Sequence, residues 1–186
     1  MRGGSRIDAT TVLLGLTLAA SLLLCAWGVW FGLPFLYHPD EGFEVNRALQ
    51  LGTGSFDFNF FRMIKGGYFY LLFVEYGVLF VVLKLIGTVS STQDFAMLYI
   101  SDPTLFYLVG RLTTATIGTL TVYLLYRLGT RLHSRRVGLV AAIFLFANVL
   151  HVRNSHFITV DIPLTCLVTA GLLFIARVNE RGRMGD

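Results

Sequence analysis

The feature that most constrains this chain is its first apolar segment, because no charged residue occurs between Ala9 and Tyr37. About 20 consecutive apolar residues are enough to cross a bilayer as a helix, so the segment can span. It exceeds the roughly 7–15 residues of a signal-peptide core, and no small-residue cleavage site closes it. Arg2 and Arg6 precede it. We therefore predict a retained transmembrane helix over 9–36, with the N-terminus in the cytoplasm.

The composition excludes several classes of protein. Hydrophobic residues make up 55% of the 186 residues and charged residues 14%, whereas a soluble domain has about 25% charged residues. A disordered chain, a nucleic-acid-binding arm and most soluble enzymes are thereby excluded. The net charge of +4 is spread along the chain, so no nucleic-acid partner is predicted. Cys25 and Cys166 lie in apolar runs and indicate neither a disulfide framework nor a metal site.

Further apolar segments predict an all-α, polytopic transmembrane helical bundle, formed by a single membrane domain over 1–186. Besides 9–36, the predicted crossings are 105–128, 137–157 and 162–178. The connection at 129–136 and the residues just before it hold four arginines and no acid, so this connection is predicted to be cytoplasmic.

Residues 68–87 are apolar enough to cross as well, but an even number of crossings must separate two cytoplasmic regions. Glu75 and Lys84 lie within them, and each costs about 2.5–3.5 kcal/mol at the bilayer centre. We therefore predict an interfacial helix over 68–87 within a large extracytoplasmic first loop over 38–104. The chain is predicted to be an integral protein of a plasma or ER-type membrane, with its active face on the extracytoplasmic side.

An acidic pair follows the first membrane segment. Asp40 and Glu41 come directly after Pro39, and proline discourages continuation of a helix at the residue before it. In one interpretation Asp40 caps the next helix and Glu41 lies in its first turn. In the other, a carboxylate at the lipid–water boundary acts as a base. The residues alone leave both open.

Three other residues are candidates for a site. Asp161 precedes Pro163 at the start of the last crossing, where a helix cap explains it as well as a function does. Lys65 precedes two glycines and could contact a phosphate, or it could anchor the interfacial helix. Arg111 lies within a predicted crossing, so it should find a partner or line a polar cavity.

The order of these motifs resembles the GT-C superfamily of membrane glycosyltransferases, in the branch of protein O-mannosyltransferases and lipid A aminoarabinose transferases. The resemblance covers the N-terminal portion of that family only. It is carried by the acidic pair after the first helix and by three later blocks. These are Lys65-Gly-Gly-Tyr-Phe-Tyr-Leu-Leu, Gly110-Arg111-Leu112 with the segment that ends at Gly129, and Asn154-Ser-His-Phe-Ile-Thr-Val-Asp161-Ile-Pro163.

The resemblance implies transfer of a sugar from a polyprenyl-phosphate-linked donor to an acceptor hydroxyl on the extracytoplasmic side. Asp40 would be the general base, Glu41 would orient it or bind the acceptor, and Asp161 would complete an acidic catalytic site. Lys65 would bind the donor phosphate, with Arg111 as a second candidate.

The implied partners are the polyprenyl-phosphate sugar donor, a lipid or protein acceptor, membrane lipid, and a C-terminal half or partner chain. No cofactor is certain, and a divalent metal stays an open alternative, although the histidines lack a metal-like spacing. The alternative function is a non-catalytic membrane subunit or scaffold of a multi-chain assembly, in which the acidic residues serve as helix caps.

Overall fold

The structure is a computed structural model, and it describes residues 8–35, 38–54 and 67–183. Within these ranges the chain forms eight helices and no strand, which confirms the predicted all-α class. The helices are α1 (Ala9–Ala26), α2 (Pro39–Leu51), α3 (Tyr68–Leu85), α4 (Thr92–Ser101), α5 (Thr104–Leu132), α6 (Arg135–Phe146), α7 (Val149–Ser155) and α8 (Asp161–Arg183).

Four of these helices, α1, α3, α5 and α8, are long and apolar enough to cross a membrane. The pair α6 and α7 passes the same test together but bends by 63° at its break, so it adds a fifth candidate if counted as one span. Large apolar side chains on these helices are exposed, for example Leu16, Val78 and Phe174. Exposed apolar surface on helices of this length is suited to lipid contact. The chain is an integral membrane protein.

The first helix is shorter than the predicted segment. Instead of continuing to residue 36, α1 ends at Ala26, and turns occupy 27–35. Gly28 and Gly32 have φ angles of 87° and 78°, which glycine adopts without the steric cost that other residues meet. Apolar composition alone does not reveal such turns, which explains the difference.

The predicted segment 137–157 is likewise divided. Asn148 follows the end of α6, and its Oδ1 accepts the N–H of His151 at 3.0 Å. Such a side-chain bond satisfies a donor that a helix start leaves without an intrahelical partner. The chain therefore begins a new helix, α7, at this point.

The described residues form two compact units. The first contains α1, α6, α7, α8 and the part of α5 from Ala115 onwards. The second contains the described residues of Gly28–Thr114 together with the loop His156–Val160.

The first unit has a core between α5 and α6. Its buried members are Val122, Tyr126, Leu139 and Ala142. The two helices approach each other closely: a Cβ atom built on Gly129 would lie only 2.8 Å from the Cα of Gly138. Only glycine permits so short a distance between backbones.

In the second unit α3 runs antiparallel to the first turns of α5. Tyr68 donates its hydroxyl hydrogen to the carbonyl of Gly110, and Tyr76 donates to the carbonyl of Phe106. Leu72 lies between them and faces Gly110. Residues four apart share one face of a helix, so this face of α3 follows α5 towards its N-terminus.

Helix α4 begins with a capping box. The hydroxyl of Ser91 accepts the N–H of Asp94 at 3.1 Å, and the Asp94 carboxylate accepts the N–H of Ser91 at 3.0 Å. It also accepts the N–H of Ser90 at 2.9 Å. These bonds, led by that from the Ser90 backbone, lower the pKa of the Asp94 carboxyl. Protonation in acid would remove the bonds, so their contribution to α4 is present near neutral pH and is lost as the pH falls.

Candidate functional site

The candidate site is built on the first turn of α2. His38 is the N-cap residue, and its Nδ1 accepts the N–H of Asp40 at 3.3 Å. Pro39 occupies the first helical position, where no N–H is needed. Asp40 and Glu41 follow in the first turn, where the helix dipole favours carboxylates. The interpretation that Asp40 caps the helix is wrong, because the N-cap residue is His38.

Glu41 forms a buried ion pair with Arg111. The Nε and Nη2 groups of Arg111 donate to the two carboxylate oxygens of Glu41, each at 2.7 Å. Both side chains are 0% exposed. Arg111 thus has the partner that its place in an apolar helix demands. Removing two charges from water costs several kcal/mol per ion, so such a pair needs further hydrogen bonds.

Those further bonds are present. The Nη1 group of Arg111 donates to the carbonyl oxygens of Val29 and Phe31, at 2.6 and 2.9 Å. Glu41 Oε1 accepts a third bond, from the N–H of Ile158 at 3.0 Å. The pair therefore joins four segments that are distant in sequence: the turn after α1, the start of α2, α5 and the loop His156–Val160.

The loop His156–Val160 covers this pair with an aromatic ring. The guanidinium carbon of Arg111 lies 5.3 Å from the centroid of Phe157, within the range of a cation–π contact. The same ring of Phe157 also stacks with the ring of His38, with the ring centroids 5.1 Å apart and an interplanar angle of 29°. The chain of contacts from Glu41 through Arg111, Phe157 and His38 thus returns to α2.

A second group of buried polar side chains lies between α3 and α5. The hydroxyls of Tyr68 and Thr114 are 2.5 Å apart. Beside them, Gly110 allows the Ile158 side chain to approach α5 closely, because a Cβ there would lie 2.6 Å from it. Glu44, three residues after Glu41, is also buried. The inward face of α2 is therefore acidic as well as apolar.

The structure brings together three of the five predicted site residues, Asp40, Glu41 and Arg111, in the second unit. Asp40 is half-buried. Asp161 is exposed and is itself the first residue of α8, in the first unit. Lys65 lies outside the described residues.

Sequence reasoning missed the residues that complete the site: His38, Phe157, and the backbone groups of Val29, Phe31 and Ile158. A signal for His38 existed, since proline at the first helical position places the residue before it at the N-cap. The backbone groups carry no sequence signal, because any residue type supplies an N–H and a carbonyl.

The two carboxylates of this turn have different surroundings. Both oxygens of Glu41 accept hydrogen bonds from fixed donors, which suits it to orient the turn. Asp40, the residue before it, is half-buried and not fully buried. Among the described residues, no group of three or more His, Cys, Asp or Glu side chains is placed to hold a metal ion.

One comparison with known proteins gave a match. Residues 106–186 match the family model described as dolichyl-phosphate-mannose-protein mannosyltransferase. The match confirms the resemblance over those residues and supports a membrane glycosyltransferase of the mannosyltransferase type. The matched range includes Arg111 and Asp161, whereas Asp40 and Glu41 precede it. No curated protein and no solved structure matched the chain.

Proposed function

We propose that this chain transfers a sugar from a polyprenyl-phosphate donor to an acceptor hydroxyl on the extracytoplasmic side of the membrane, with Asp40 as general base. The observation that carries the proposal is the buried Glu41–Arg111 pair, which fixes the turn that presents Asp40. The match of residues 106–186 to the mannosyltransferase family supports the reaction class.

In this proposal Glu41 and Arg111 are positioning residues. Arg111 already donates four hydrogen bonds to protein acceptors and is fully buried. A direct contact with the donor phosphate would require it to leave these partners. We therefore assign the donor phosphate to Lys65.

Asp161 is proposed as the second acidic residue of the site. The resemblance carries this assignment: Asp161 belongs to the block that begins at Asn154 and ends at Pro163. It also lies within residues 106–186, which match the family model.

The proposed reaction is a single inverting displacement. Asp40 takes the proton of the acceptor hydroxyl, the acceptor oxygen bonds to the anomeric carbon, and the bond from that carbon to the phosphate oxygen breaks. Polyprenyl phosphate leaves with the electron pair. A positioned base contributes about 10²–10⁴-fold to such a step, and a cation stabilises the charge that develops on the leaving phosphate.

The test compares Asp40→Asn with the unmodified chain in membranes supplied with a polyprenyl-phosphate mannose donor. Asparagine keeps the size and polarity of the side chain but cannot accept the proton. We expect the transfer rate to fall about 10²–10⁴-fold while the amount of inserted protein is unchanged. Transfer would be measured as radiolabelled sugar on acceptor.

Asp102→Asn is the matched control. Asp102 accepts the N–H of Thr104 through Oδ1 at 3.0 Å, and an asparagine oxygen can replace that bond, so transfer should be unaffected. An equal transfer rate in Asp40→Asn and the unmodified chain would remove Asp40 as the base. It would favour the alternative of a non-catalytic membrane subunit or scaffold.

A further inference from the structure

The direction of the Asp40 side chain depends on the residue before the helix. The Nδ1 atom of His38 accepts the N–H of Asp40, so the imidazole ring fixes the peptide from which that side chain projects. A side-chain acceptor at the N-cap satisfies a backbone N–H that the first turn of the helix leaves without an intrahelical partner. His38 can do this only while its ring is held in the capping rotamer.

Phe157 holds that ring. It stacks on His38, and it is itself fixed on two sides. Its guanidinium neighbour, Arg111, is locked by four hydrogen bonds, and the next residue, Ile158, donates its N–H to Glu41. The position of the ring is therefore set by the buried ion pair and not by Phe157 alone.

We infer that His38 and Phe157 are a positioning pair for Asp40, which transmits the fixed geometry of the Glu41–Arg111 pair to the reacting carboxylate. The inference rests on the proposed role of Asp40 as base. Neither ring needs to touch the sugar donor or the acceptor. Their contribution is to kcat, through the direction of the base, because a displacement of about 1 Å in such a group can cost 10²-fold in rate.

The contact also requires one arrangement of the ring hydrogens. An Nδ1 atom that accepts a hydrogen bond carries no hydrogen, so a replacement for His38 keeps the cap only if it also presents an acceptor to the N–H of Asp40.

Three variants separate the functions of the two rings. His38→Phe keeps a stacked ring but loses the acceptor, and Phe157→Leu keeps the apolar volume but loses the ring. We expect each to lower kcat about tenfold, with the KM for the polyprenyl-phosphate mannose donor unchanged. His38→Asn restores an N-cap oxygen as acceptor, so it should recover most of the kcat.

His133→Asn is the control for histidine replacement, because His133 is exposed and lies between α5 and α6. Its kcat should match that of the unmodified chain. Full kcat in His38→Phe, or a kcat in His38→Asn as low as in His38→Phe, would overturn the inference.

Amide hydrogen exchange over residues 38–44 gives a readout that needs no activity. Faster exchange in His38→Phe and Phe157→Leu, with near-normal exchange in His38→Asn, would show that His38 caps the helix and that Phe157 holds the ring of His38 in place. Unchanged exchange in all three variants would overturn both conclusions. If the unmodified chain transfers no sugar while these exchange differences appear, the proposed function fails and the contact between the rings and the turn stands.

Discussion

At the residue scale, one buried guanidinium organises the second unit. Arg111 was predicted to need a partner because it lies in an apolar helix, and Glu41 meets that need. The partner could not be chosen from the sequence, since 70 residues separate the two and Asp40 and Asp102 were equally available acids. The backbone carbonyls that complete the site could not be predicted from the sequence, because every residue type has one.

Loss of Arg111 should therefore be costly for stability. In Arg111→Met, Glu41 is left as a buried carboxylate without its charge partner, and we expect a loss of about 3–5 kcal/mol. The double variant Glu41→Leu with Arg111→Met leaves no such charge and should recover much of that loss. Thermal unfolding of the purified chain in neutral detergent, followed by circular dichroism, measures both.

Arg153→Met is the control for loss of an arginine, since Arg153 is exposed on α7. It should shift the unfolding midpoint little. A double variant as unstable as Arg111→Met would mean that packing, and not the uncompensated charge, causes the loss.

At the scale of helices, the apolar pattern predicts where helices exist better than where they end. The range 105–128 was predicted for α5, which spans Thr104–Leu132, and 162–178 for α8, which spans Asp161–Arg183. The pattern gave no sign of the turns at Gly28 and Gly32 or of the break before α7. These depend on backbone angles and on one asparagine cap, which hydropathy does not register.

The close approach of α5 and α6 should tolerate no added methyl group. In Gly138→Ala the new Cβ would overlap the carbonyl oxygen of Tyr126 and lie 2.8 Å from the backbone N of Thr130. Backbone cannot move aside as a side chain can, so we expect a loss of about 1–3 kcal/mol. The midpoint of thermal unfolding in detergent tests this.

Gly171→Ala provides the matched comparison, because nothing lies within 4 Å of a Cβ at that position of α8. Alanine should leave stability unchanged or raise it by about 0.5–1 kcal/mol. Equal effects of the two substitutions would show that α5 and α6 are not packed through Gly138.

At the scale of the whole molecule, the membrane topology depends on whether α3 crosses. Helix α3 is long and apolar enough to span a membrane, as are α1, α5 and α8. Its contact with the first turns of α5, through Tyr76 and Phe106, is compatible with a crossing and with a place in the interface, since about 20 residues suffice to cross. The interfacial place of α3 stays a prediction, and the even number of crossings depends on it.

Single cysteines in a chain without Cys25 and Cys166 test this topology. Suitable positions are Asn46, Ser90 and His133, which are exposed; Ser91 and Ser134 are avoided because their hydroxyls cap α4 and α6. We expect an impermeant maleimide added outside intact cells to label positions 46 and 90 but not 133. Labelling of 133 with protection of 90 would instead show that α3 crosses.

The buried ion pair also has a consequence for the order in which the chain is assembled in the bilayer. Glu41 leaves the ribosome before Arg111, so a carboxylate is already present when α5, with its arginine, enters the membrane. An arginine costs about 2.5–3.5 kcal/mol at the centre of an inserting helix, and a counter-ion that is already present reduces the cost of a charge in such a helix. Ile158, 117 residues after Glu41, is synthesised after both charged residues. The last hydrogen bond to Glu41 therefore becomes available only after both residues of the pair have been made.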